Sequence, residues 1–500
     1  MTRVSPTITE RNSNWIIVGI LVVSLLHRWT LIFRGGQYYI SDETRYEVSR
    51  DAARYLAQGQ VGEALKQFTL SPEHLGFKVI GIIPALLEHI TEPSLAMPAM
   101  FFSLFSILNL YLIFLLARRT STSSSGPLYA LALAALSHSL LYYSRHLFPY
   151  DMAMSFGLLA LYYALAREQT TKRSLMCGGL GFLCFITYNG YWSLAGYAML
   201  VNVLVDRGKL FGIVRKGTLT ALGFVTPLGL LLLAMLWAGT DMLSAYRLFA
   251  TTITQGSFDE GWSLPFVYFW YTEHTIILLL GALSLFALVK AFKDKQRNAP
   301  LWAGGVLFIY LCLLIPSVYM HYFVVYGRLA RQMLPFLILL AAEGMTQLEG
   351  VRAVGRRGIV FIFVMLLTQA EWNFAESYRL AFPRDFVAEV QAIYPEFEFS
   401  SKRLAFGAPV ICQNHGYIME NAKYYVDPPE IIPQVNGQLL LSTGHPSTFR
   451  PYQYDGDSPA TRRAFDSLQL RMRFYKVDEQ FMSETNPDWV AIKDCWIRDK

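Results

Sequence analysis

Residues 15–33 read WIIVGILVVSLLHRWTLIF, nineteen positions in which only Ser24, His27, Arg28 and Thr30 interrupt apolar and aromatic side chains. As a helix rising 1.5 Å per residue this run is about 28 Å long, close to the ~30 Å of a bilayer's hydrocarbon core. The chain then turns polar at Arg34-Gly35-Gly36 with no small-residue cleavage pattern. The run therefore reads as a first membrane span and not as a removed signal peptide.

Working outward, comparable runs lie at 75–91, 95–117, 126–144, 151–166, 174–189, 191–205, 218–238, 265–289, 300–318, 332–347 and 358–372. Composition agrees: 53% of the 500 residues are apolar and 16% are charged, against about 25% charged in soluble domains. Basic clusters follow every second run, at Arg118-Arg119, Arg167 with Lys172-Arg173, Arg207 to Lys216, Lys290 to Arg297, and Arg352 to Arg357. By the positive-inside rule these share the cytoplasmic face. The net charge of +6 is thereby placed in membrane-flanking loops, and no basic face interleaved with stacking aromatics suggests nucleic acid. The polar N-terminus fits the same face, which leaves one run too many before Arg118. Run 75–91 is the one to remove, because Lys78, Pro84, Glu88 and His89 interrupt it and each buried charge costs a few kcal/mol at mid-bilayer. It reads as a juxtamembrane or re-entrant helix on the outer face.

The expected fold is thus an all-α polytopic membrane domain over 1–372 with about eleven transmembrane helices, N-terminus inside. A small extracytoplasmic α/β domain is expected over 373–500, with helices at Phe382–Tyr394 and Ser458–Leu468 and strands at Gln438–Ser442 and Val490–Ile492. Cys412 and Cys495 both fall in this tail, so a disulfide is compatible with an oxidising side. No cysteine pair has zinc-ligand spacing. No Asn-x-Ser/Thr sequon occurs, which leans toward a bacterial inner (plasma) membrane.

The outer face collects the polar material, Arg34–Ser94, Ser144–Asp151, Gly239–Leu264, Tyr319–Arg331 and the tail, so function is sought there. Its aromatics, among them Tyr142-Tyr143, Tyr188, Tyr191-Trp192, Tyr268, Trp270-Tyr271 and Tyr319 to Tyr326, read mainly as an interfacial belt, with a minority able to stack on a sugar or line a lipid groove. The sharpest local signal is Ser41-Asp42-Glu43-Thr44-Arg45-Tyr46. It opens an amphipathic helix that runs to Gln58-Gly59, with Tyr46, Ser49, Ala53 and Leu56 on its less polar face. Acids in a first helical turn are stabilised by the macrodipole alone, so spacing by itself leaves Asp42 and Glu43 between a cap and a site.

An Arg-bearing first span, then Asp-Glu-x-x-Tyr at 42–46, then a helix ending near Gly59 resembles the opening of the GT-C glycosyltransferases, specifically the protein-mannosyltransferase and aminoarabinose-transferase group. His74-Leu75-Gly76-Phe77-Lys78 is similar to that group's His-Pro-Pro-Leu-Gly-Lys segment without its two prolines. Ser144-Arg145 with Pro149-Tyr150-Asp151 resembles the Arg and Asp at the outer junction of two spans. Arg328 and Arg331 before Leu334-Pro335 resemble the Arg-rich entry to a late span. The likeness covers about residues 15–345, and the tail resembles no family. It implies transfer of a sugar from a polyprenyl-phosphate carrier to a lipid, glycan or protein acceptor outside the membrane, with Asp42 as general base and Glu43 organising the site.

The chemistry narrows the roles. A phosphate leaves an anomeric carbon readily once cations hold its charge, and the outer face offers Arg28, Lys78, Arg145, Arg328 and Arg331. Arg28 lies inside a span and could also snorkel. A glycosidase needs two carboxylates facing one bond, whereas adjacent helical residues diverge by ~100°, so Asp42 and Glu43 supply one base. One base suits an inverting transfer. Asp151, His74, Glu273 and His274 are candidates for binding substrate. The Glu273-His274 step fits either a polar pair between helices or a divalent cation, without metal-ligand specificity; no metal or cofactor is otherwise indicated. A transporter or flippase of lipid-linked or small solutes is the rival, and it should show two related halves with interrupted helices, which this sequence lacks.

Overall fold

The computed structural model describes residues 8–34 and 45–380, apart from 71–72, 89, 92–95, 122, 146, 167, 169, 205–209, 248–262, 295–297, 320–326 and 352–354, and beyond 380 only 410–413, 418–419, 439–440, 472–476 and 494–498. Up to Leu380 every regular element is a helix: α1 (Ile8–Arg34), α2 (Tyr46–Ala57), α3 (Val61–Leu70), α4 (Leu75–Glu88), α5 (Ala96–Thr120), α6 (Gly126–Leu136), α7 (His138–Tyr142), α8 (Tyr150–Ala164), α9 (Thr171–Thr187), α10 (Trp192–Leu204), α11 (Leu210–Trp237), α12 (Leu264–Glu273), α13 (Thr275–Asp294), α14 (Asn298–Leu314), α15 (Leu334–Glu349) and α16 (Gly355–Leu380), with short helical turns between them.

Five of these are long and apolar enough to cross a membrane: Asn14–Phe33 within α1, Ala96–Thr120, Leu210–Trp237, Thr275–Asp294 and Arg357–Ala375 within α16. The chain is a multi-pass, all-α membrane bundle, and the expectation of about eleven spans is corrected to five candidates. The difference has a local cause. Run 126–144 is cut at Ser137, whose backbone leaves the helical region at φ −69°, ψ 122°. Run 265–289 is cut at His274, at φ 50°, ψ −129°. Runs 151–166, 174–189, 191–205 and 332–347 fold as helices of 13 to 17 residues, about 20–26 Å long. Run 75–91 folds as the 14-residue α4 with Pro84 inside it, shorter than a span, as Lys78 and Glu88 foretold.

The α/β tail is likewise corrected. The described residues beyond Leu380 carry no helix, only strand fragments of two to five residues in antiparallel pairs. They do not make the helix-on-sheet layers of an α/β domain. The expected helices at 382–394 and 458–468, and the expected strand at 490–492, lie outside the described residues.

Packing is of the membrane type, with small residues bringing helices together. A Cβ added at Gly178 of α9 would lie 2.0 Å from the Thr220 carbonyl oxygen of α11, and one at Gly223 would lie 2.2 Å from that of Leu175. Gly344 of α15 meets the Leu283 carbonyl of α13 in the same way. The core is built round α5, α8, α9, α10 and α15, and α2 lies on α4, which packs against α5 and α9. There Arg50 forks onto Glu88 with two contacts of 2.7 Å, and Tyr46 reaches the same carboxylate at 3.3 Å. Gly81 gives Ser49 room to donate to the Lys78 carbonyl at 2.8 Å.

Candidate functional site

Asp42 and Glu43 lie outside the described residues, which resume at Arg45. Arg45 opens α2 and joins a polar cluster with the turn that starts α4. Its Nε lies 3.4 Å from Glu73 Oε1, and its Nη1 lies 2.5 Å from His74 Nδ1. Lys78 Nζ reaches the same Glu73 oxygen at 3.6 Å. Two cations and an imidazole thus gather round one carboxylate. Lys78 is fully buried, and that burial pushes its pKa down to about 7, against the pull of Glu73. The turn is tight because His74 adopts φ +57°, a region that non-glycine residues seldom occupy and that clusters at functional sites. Gly76 lets α4 close onto the end of α9, since a Cβ there would lie 2.3 Å from Thr187 Oγ1. Sequence reading singled out His74 and Lys78 and missed Arg45 and Glu73, although both stand beside the motifs it quoted.

A second polar centre lies at the break between α6 and α7. Glu273, fully buried at the end of α12, accepts from Ser137 Oγ (2.8 Å), the His138 N–H (3.0 Å) and the Ser139 N–H (2.8 Å). It fills the role of a capping anion for a helix whose first N–H groups have no partner. The carbonyls of the same segment are held from the other side. Arg331 Nε donates to Ser139 O at 2.8 Å, and Arg28 Nη2 donates to Leu140 O at 3.1 Å. Arg28 also donates to Ser106 Oγ and Ser24 O, and Arg331 Nη2 donates to Asp151 Oδ1 in a buried ion pair. Arg28, Arg331 and Asp151 therefore meet in one buried layer, each with 6% exposure or less. Arg28 gives a hydrogen bond from each of its three nitrogens to protein, whereas Arg331 bonds through Nε and Nη2 and its buried Nη1 has no hydrogen-bond partner among the described residues. His274, next to Glu273, is the other non-glycine residue at positive φ among the described residues, at 50°.

Buried rings connect the two centres. His74 stacks near Tyr188 at 4.9 Å between centroids, Tyr188 meets Tyr150 at 4.8 Å and Tyr191 at 5.2 Å, and Tyr150 meets Tyr143 at 5.1 Å. The Arg331 guanidinium lies 5.1 Å from the Tyr143 ring centroid, and Tyr268 is close enough to interact with it electrostatically. An interfacial belt accounts for Trp270 and Tyr319, which are exposed, but Tyr142, Tyr143, Tyr188, Tyr191 and Tyr268 are interior. Arg145 ends a short helical turn beside Tyr143, and Arg328 lies on the turn Gly327–Ala330 that leads to Arg331; their side chains lie outside the described residues. Among the described residues no group of three His, Cys, Asp or Glu side chains is placed to hold a metal ion.

No protein-family model matches the sequence, and no curated protein matches it significantly. Similar solved structures include ArnT from Cupriavidus metallidurans in the apo state, at 13% identity and TM-score 0.45 over 67% of this chain and 60% of that one. The oligosaccharyltransferase of Archaeoglobus fulgidus in complex with Zn and sulfate follows at 11% identity and TM-score 0.42, over 77% and 57%. The same organism's oligosaccharyltransferase AglB, with an inhibitory peptide and a dolichol-phosphate, gives 12% identity and TM-score 0.43 over 74% and 56%. The chain spans about three fifths of the length of these proteins.

Proposed function

We propose that the protein is a membrane glycosyltransferase that moves a sugar from a polyprenyl-phosphate carrier to an acceptor on the outer side, with inversion. The observation that carries this reading is the gathering of Arg45, His74 and Lys78 round Glu73, with Arg45 two residues after the Asp42-Glu43 pair. Three residues of chain span at most about 11 Å, so Asp42 stays within that distance of Arg45. A base and a phosphate-holding cluster are then tied together by sequence alone, and the sequence likeness at 42–46 and 74–78 supports the same pairing.

In the proposed reaction an acceptor hydroxyl or amine attacks the anomeric carbon and passes its proton to Asp42. The bond from that carbon to the phosphate oxygen breaks, and the electron pair leaves with the polyprenyl phosphate. Lys78 and Arg45 hold that charge, with Glu73 pairing both cations and offsetting their mutual repulsion until phosphate enters. Arg145 and Arg328 add donors from the turns beside the buried layer, and Glu43 orients the acceptor. Arg28, Arg331, Asp151 and Glu273 hold the 137–140 segment and the ring-lined floor against which His74 rests.

Protein reconstituted in bilayers should release polyprenyl phosphate from a polyprenyl monophosphate sugar and leave a nucleotide sugar intact. Use of the nucleotide sugar, or passage of the lipid-linked sugar across the bilayer with its glycosidic bond intact, overturns the proposal.

A further inference from the structure

A groove of about 390 Å³ opens between α1, α6–α7 and α16, away from the cluster at Glu73. Two of its walls are candidate spans whose windows are only 22% and 17% buried within the protein, as is expected of apolar helices that face lipid. Polarity changes along its length. Ile16, Ile20 and Leu367 line the apolar part, and His27, His138 and Glu371 line the other. Eleven residues of helix separate Ile16 from His27, about 16 Å. The His27 ring lies 4.7 Å from that of Phe374, less than one turn beyond Glu371, which puts the polar groups of α1 and α16 at one level. His138 belongs to the segment that Arg28 binds through Leu140, one residue beyond His27 on α1. Among the described residues no Lys or Arg lines the groove.

An apolar channel whose polar end carries one carboxylate, Glu371, near the paired rings of His27 and Phe374 has the polarity of a single amphiphile with a cationic head. A carboxylate and aromatic faces together favour an ammonium, and the lack of lining cations disfavours a purely anionic head. We propose that this groove holds a chain of one bilayer lipid of the phosphatidylethanolamine type, its ammonium at Glu371 beside His27 and Phe374. This site is independent of the transfer reaction, and its test reads bound lipid, not turnover.

The test uses the full chain in nanodiscs of equal phosphatidylethanolamine and phosphatidylglycerol, extracted into detergent, with co-purified lipid counted by mass spectrometry. The expected result is one phosphatidylethanolamine per chain. Gly19 lines the groove, and a Cβ there meets nothing within 4 Å, so Gly19→Leu should fill the groove without disturbing the helix. Retention should then fall about tenfold, the scale of an overpacked site. Ala132→Phe does the same from α6, so failure of one variant to fold leaves the other to decide. Glu371→Gln should keep lipid but lower the preference for the amine head about two- to fivefold, as for an exposed ion pair. Retention of phosphatidylglycerol equal to that of phosphatidylethanolamine, unchanged retention in both filled variants, or a polyprenyl phosphate as the bound species overturns the proposal.

Discussion

Replacing Glu273 by Gln tests whether this carboxylate holds the broken helix or serves a substrate. The side chain keeps its shape, but one of its two acceptors becomes an NH₂ group. Oε1 takes two donors, Ser137 Oγ and the Ser139 N–H, and Oε2 takes only the His138 N–H. The least costly orientation therefore keeps oxygen at Oε1 and strands the His138 N–H. Hydrogen bonds between membrane helices average ~0.6 kcal/mol, so the bond lost from the His138 N–H counts for about that much. A stranded buried donor adds ~1–3 kcal/mol, which puts Glu273→Gln at about 2–4 kcal/mol once the two remaining bonds weaken from charged to neutral. Ser137→Ala removes two bonds, the one its hydroxyl donates to Glu273 and the one it accepts from the Leu140 N–H as the cap of α7, and should cost ~1–2 kcal/mol. Unfolding of the detergent-solubilised protein, followed by denaturant titration, measures the series. The order wild type, Ser137→Ala, Glu273→Gln in falling stability is the expected result. A Glu273→Gln protein as stable as wild type but with reduced turnover would refute the capping argument and return Glu273 to substrate.

Asp42→Asn should lower turnover about 10²–10⁴-fold with folded protein retained, the range for losing a general base, whereas Asp51→Asn, which breaks only a half-exposed pair with Arg54, should leave turnover unchanged. Lys78 titrates near pH 7 in the folded protein and near 10.5 when unfolded. Between these values the unfolded chain holds more protons, so this group makes stability rise with pH there, and Lys78→Met should abolish that slope. Under the proposed function the same titration weakens donor binding as pH rises through 7, because phosphate is held by the ammonium form; a donor affinity flat from pH 6 to 8.5 argues against it. Ser71→Cys and Ser458→Cys should react with an impermeant thiol reagent in intact cells or spheroplasts, and labelling only after membrane disruption would reverse the proposed orientation.

What could be read from the sequence divides along a physical line. Hydropathy reports the solvent a segment prefers, so it located the apolar runs and recognised that 75–91 is interrupted. It does not report where a run is broken by partners distant in the chain. The cut at Ser137 is held by Glu273, more than 130 residues away, and by Arg28 and Arg331, which bind the carbonyls just after it. An alanine- and leucine-rich stretch with two serines gives no sign of these bonds. The same logic explains the arginines. A cation in an apolar run signals either a ligand or a buried structural bond. Sequence placed Arg28 and Arg331 on the list for phosphate; in the structure Arg28 donates to Ser106 Oγ and to the Ser24 and Leu140 carbonyls, and Arg331 donates to the Ser139 carbonyl and Asp151 while its buried Nη1 has no partner among the described residues. Lys78 and His74, by contrast, were legible as a motif but not as a cluster, because Arg45 and Glu73 complete it from the two flanking turns. A positive-φ histidine at the start of α4 closes that cluster, and backbone of this kind has no hydropathy signature. Residues that looked alike in the sequence, cations near the outer ends of apolar runs, thus divide between Arg28 and Arg331, which bond to the broken 137–140 segment, and Lys78, which joins the cluster at Glu73.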